Sequence, residues 1–99
     1  MMVTVYGRPV PSLKLPPTPD WLQRHGGELR PDLNPQAAEV WLDGQPLYRL
    51  EVRPAWDRYS CAVVDMTNGQ RLDDPHSVYP TADEALRGGL EQLRTRLGW

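Results

Sequence analysis

The chain has 99 residues, with 13 acidic and 11 basic side chains and a formal net charge of −2. That length supports one domain with one hydrophobic core, and a balance so near neutral excludes a general attraction to nucleic acid or acidic membranes. No apolar run approaches the length of a membrane span, and the lone cysteine, Cys61, excludes an intrachain disulfide framework.

Met1-Met2-Val3-Thr4-Val5 lacks the basic-then-apolar layout of a signal peptide. Cys61, flanked by Ala62 and Val63, reads as a buried thiol in a reducing compartment. A soluble, cytoplasmic protein is the expectation.

Val3 to Tyr6 alternates and is rich in β-branched residues, so it predicts a short strand, with Gly7-Arg8-Pro9 as its turn. Val10 to Leu15 predicts a returning strand, limited to a sheet edge because Pro9 and Pro11 lack the N–H a ladder needs. Thr18 before Pro19 has the form of an N-cap with proline at the first helical position. A short helix over 20–25 should follow, anchored by Trp21 and Leu22 and stopped at Gly26-Gly27. Glu28 to Pro35 has two prolines and little periodicity, and predicts a loop.

Ala38 to Leu42 predicts the next strand. Asp43-Gly44 marks a hairpin turn, and the chain returns from Leu47 to Arg53. Alternation puts Tyr48, Leu50 and Val52 on one face and Arg49, Glu51 and Arg53 on the other. After a turn at Pro54 to Asp57, Arg58 to Met66 is the most apolar strand and is expected at the centre of the sheet. Asn68-Gly69 is the strongest hairpin signal in the chain, because both residues tolerate positive φ.

Thr81 and Glu84 have capping-box spacing ahead of a helix whose stripe is Leu86, Leu90, Leu93 and Leu97. Gly88-Gly89 interrupts it, at a cost of about 0.5–1 kcal/mol for each glycine. Close approach of helix to sheet is the expected reason. Trp99 either folds back to cap the core or stands as an exposed anchor.

The fold class that follows is α+β: an antiparallel sheet of five or six short strands packed on one C-terminal amphipathic helix. Residues 1–99 form a single domain, in which 38–99 are the core and 1–35 are either part of it or an appended arm.

No P-loop, dinucleotide fingerprint or nucleophile elbow occurs. The acidic loop Asp73, Asp74 and His76, with Asp65, offers oxygen and imidazole donors without EF-hand spacing, and reads as a solvated turn. A Cys61–histidine nucleophile pair is disfavoured, since a cysteine in mid-strand is desolvated and inert. No catalytic residue, metal or cofactor is therefore assigned.

The binding candidates are Trp41, Arg49, Arg53, Trp56 and Arg58. An aromatic among arginines suits either a partner's pocket or a stacked base. Trp41 joins the arginine face only if the turn after it holds an odd number of residues. With two or four it falls opposite Tyr48, on the core face.

Tyr59 to Met66, the Asn68-Gly69 turn, and Tyr79-Pro80-Thr81 leading into the helix form a pattern over about residues 58–97. It resembles the arm-type DNA-binding domains of phage integrases. The resemblance implies a three-stranded sheet on a helix and contact with DNA, and it carries over no functional residue. The leading expectation is a non-catalytic module that binds another protein or self-associates, through a free sheet edge, the Trp/Arg face or the back of the helix. A nucleic-acid-binding domain using the Arg/aromatic face is the alternative.

Overall fold

The computed structural model describes residues 10–99. The strand expected at Val3–Tyr6 and its turn lie outside the described residues. The elements are α1 (Asp20–Gln23), β1 (Gly27–Pro31), β2 (Ala37–Leu42), β3 (Gln45–Ala55), β4 (Arg58–Asp65) and α2 (Ala82–Leu97). The fold is α+β. The strands form one antiparallel meander in the order β1-β2-β3-β4, with α2 packed on the inner face of β3 and β4. Among the described residues the sheet therefore has four strands rather than five or six.

Two expected strands among the described residues are missing, each for its own reason. Val10 to Leu15 runs irregularly: Pro11 lacks a donor, and Leu13 N–H goes to the Pro35 carbonyl, at 2.9 Å. Leu13 and Leu15 still pack against the core. After Asn68-Gly69 the return narrows to the single bridge Val64–Arg71. Only Gly69 of that pair has positive φ, so no type I′ turn forms to align a hairpin. The hairpin behind the integrase resemblance is reduced to that bridge.

Two expectations are corrected in the opposite sense. Glu28–Pro35 is not all loop, because β1 occupies its first half and pairs along β2 from Gly27–Leu42 to Pro31–Ala38. Only Leu29 of β1 is buried, so there was no alternation to read. β4 is not central but last in the sheet, and its apolar run serves α2 instead of two flanking strands.

Asp43 and Gly44, at φ 53° and 75°, close the β2–β3 hairpin with both turn residues at positive φ. Thr81 caps α2, its Oγ1 accepting from Glu84 N–H at 3.1 Å. The helix ends at Gly98, φ 73°, where Trp99 N–H donates to the Arg94 carbonyl and Gly98 N–H to that of Thr95, a Schellman pattern. Thr18 does not cap α1, where the N-cap position falls on Pro19. Its Oγ1 instead accepts from Leu29 N–H at 3.1 Å.

The core joins Val40, Leu50, Val52 and Val63 of the sheet to Leu86, Leu90 and Leu93 of α2. Trp21, Leu22 and Leu29 belong to the same cluster. Trp99 folds back: its indole stacks on His25 with centroids 3.9 Å apart and lies 6.4 Å from Trp21. The two mid-helix glycines are sites of close approach. A Cβ on Gly89 would overlap Cys61 Sγ, and one on Gly88 would overlap the Tyr79 ring.

No described helix is long and apolar enough to cross a membrane.

Candidate interaction surface

The outer face of the sheet has no element packed on it among the described residues, and its composition is set by the register. The turn after β2 holds two residues, which alone would send Trp41 to the core face. A bulge intervenes. Val40 pairs with Tyr48 and Trp41 with Pro46, leaving Leu47 as the extra residue. The bulge keeps Val40 opposite Tyr48 on the core side and puts Trp41 beside Glu39 on the outer face.

That face is a lattice of paired charges. Arg49 bridges Asp32 at 3.2 Å and Glu51 at 3.0 Å, and Glu51 also takes Arg53 at 3.2 Å. Burial acts to raise the Glu51 carboxyl, but hydrogen bonds from Arg49 and Arg53 outweigh it and hold it below its ordinary range. Glu51 sits in register between Ala37 and Ala62, which are buried on this face without a covering element. Trp41 Nε1 donates to Glu39 at 2.9 Å, and the Arg30 guanidinium lies over the Trp41 ring. Arg30 escaped the sequence reading because no signal marked β1 as a strand, and Glu39 because its role depends on the Trp41 orientation set by the bulge.

Trp41, Arg49 and Arg53 are thus brought together on one face. Arg58 lies at the far end of that face, at the next outward-facing pair beyond Arg53–Ser60, and Trp56 lies beyond it in the turn. They occupy the two-residue turn and first strand residue of the β3–β4 hairpin, where Ala55 pairs with Arg58. Trp56 follows the Trp41 partner Pro46 by ten residues, so about 30 Å of strand separates the two positions. Trp56 is 85 % exposed and has φ 60°, and Asp57 does not share that positive φ. Arg58 is exposed and makes no ion pair among the described residues.

Both edges of the sheet are partly covered, where a free one was expected. On β1, Leu29 N–H goes to Thr18, and Pro31 has no N–H to offer. On β4, Tyr59 exchanges both backbone bonds with Tyr79, at 2.8 and 2.7 Å. Val63 N–H goes to Asp73 Oδ1 at 2.9 Å, and its carbonyl accepts from Leu72 N–H. Strand addition to either edge would have to displace these partners.

The acidic loop spends its carboxylates on itself. Asp73 holds Arg71 and Val63 N–H, Asp74 holds His76 N–H and Ser77, and Asp65 holds Thr67. No group of three or more His, Cys, Asp or Glu is arranged to hold a metal ion among the described residues. Between this loop and α2 lies an open cleft of about 560 Å³. Gln92 spans it, donating to Tyr79 Oη at 3.2 Å and accepting from Asp74 N–H at 3.0 Å. These bonds fasten the loop to the helix. Burial pushes the Cys61 thiol up to about 12, which removes it as a nucleophile at neutral pH.

No protein-family model matches the chain, and no curated protein or solved structure matches it either.

Proposed function

We propose that this chain is a non-catalytic module that binds another protein through the tip of its β3–β4 hairpin. The observation that supports this reading is the reach of that hairpin. β2 begins at Ala37, opposite Glu51, yet β3 and β4 continue pairing through Val52–Cys61, Arg53–Ser60, Pro54–Tyr59 and Ala55–Arg58. The result is a ribbon that outruns β2 by about 13 Å and carries Arg53, Trp56 and Arg58 outward. Two other routes are less open: the sheet edges are partly paired, and Arg49, Glu51 and Arg53 of the outer face are engaged with one another and with Asp32. Nucleic-acid binding ranks second, because Arg49 and Arg53 would have to leave Asp32 and Glu51 before meeting a phosphate.

The test compares the wild-type chain with Arg53→Glu/Arg58→Glu. Each is immobilised in an extract of the producing cells, with quantitative identification of what is retained, and each is sedimented over a wide concentration range. Retention or self-association by the wild type that the double variant loses supports the reading. Equal behaviour of the two overturns it. Binding to mixed oligonucleotides that fades with salt would move the second reading to first place.

A further inference from the structure

We infer that Trp56 is the anchor of that contact, inserted into an apolar pocket of the partner protein; this rests on the reading just given. In a two-residue hairpin turn where only the first central residue has positive φ, glycine is the ordinary occupant. This chain places there its largest side chain, at φ 60°. A β-carbon in that region is strained, and a residue held so persists where the surroundings impose it or function requires it. No packing among the described residues offsets the strain, since the indole is 85 % exposed.

The turn is also stiff. Ala55 and Arg58 pair directly across it, and Tyr59 is locked to Tyr79 on the next strand position. A tryptophan on a rigid projection loses little conformational freedom on binding, which suits it to an interface centre. Arg58 shares the outer face with Arg53, and it is the one of the two that makes no ion pair among the described residues. The pocket that fits this tip is apolar at its centre, with a carboxylate on its rim.

The experiment uses the full chain and three variants: Trp56→Gly, Trp56→Ala and Arg53→Glu/Arg58→Glu. Thermal unfolding reads the strain, and retention from extract of the producing cells reads the contact. Trp56→Gly is expected to melt at or above the wild type, and about 4 °C or more above Trp56→Ala, because glycine alone relaxes the turn. It is expected to lose the retained protein, with purified partner binding at least about tenfold more weakly. If Trp56→Gly melts below Trp56→Ala, the turn is not strained and the inference falls. If Trp56→Gly retains what the wild type retains while the arginine variant loses it, the anchor is wrong and the hairpin reading stands. If neither variant differs from the wild type, both fall.

Discussion

The Arg30 guanidinium lies 4.1 Å from the centroid of the Trp41 ring, joining the first strand to the second across the outer face. Arg30 also holds Glu28, and Trp41 holds Glu39, so the stack has its orientation fixed from both sides. Arg30→Ala should lower stability by about 0.5–1 kcal/mol, the worth of a partly exposed cation–π contact. Urea unfolding measures it. Arg30→Lys should recover only part, since lysine lacks the planar fork that stacks.

Alanine at Gly89 should destabilise the protein, although alanine favours a helix by about 0.5–1 kcal/mol over glycine. The new Cβ would overlap Cys61 Sγ and press on Leu50, and overpacking typically costs about 1–3 kcal/mol. Cys61→Ala combined with Gly89→Ala should be less unstable than the sum of the single changes, because the sulfur it removes is the nearest obstacle. A double-mutant cycle in urea reads that coupling.

Asp73 is the carboxylate that acid should release. Its side chain is 3 % exposed, and Arg71 at 2.6 Å with Val63 N–H holds the carboxyl below its ordinary value, outweighing the burial that acts to raise it. A folded pKa below the unfolded one gives stability that is present above the unfolded value, about 3.9, and is lost as pH falls through the folded value. Asp73→Asn should therefore be less stable at neutral pH, by about 1–3 kcal/mol, with the gap to the wild type closing in acid. Denaturant midpoints from pH 7 to pH 2 would show it, and a constant gap would refute it.

Cys61 should titrate in the opposite sense. Its folded pKa of about 12, raised first by burial, lies above the unfolded value near 8.5. The stability linked to it is full below about 8.5 and is lost as pH rises toward 12. At pH 8 a thiol-specific disulfide reagent should react only as the chain opens, so its rate should rise with urea in step with unfolding. Rapid labelling of the native protein would contradict the buried thiol.

What the sequence made legible was local. The Thr81 cap, the Leu86–Leu90–Leu93 stripe and the Asp43-Gly44 turn each depend on neighbours within a few positions, and all three appear where their spacing put them. β1 was hidden because its strand character comes from β2, with Leu29 its only buried side chain. The position of Trp41 was undecidable from turn length, because the bulge at Leu47 reverses the parity that turn length sets. Trp56 was visible as a candidate residue. Its backbone conformation, and its distance from Trp41, belong to the folded hairpin and leave no mark in the order of residues.

The guards on the two sheet edges come from opposite directions along the chain. Thr18, which shields β1, precedes the strand it protects, whereas Leu72, Asp73 and Tyr79, which shield β4, follow theirs. A ribosome therefore delivers β1 already accompanied, but releases β4 with an unprotected edge until some fourteen further residues have emerged after Asp65. During that interval the unpaired edge of the growing chain can template a neighbour's strand, a hazard the finished fold reduces.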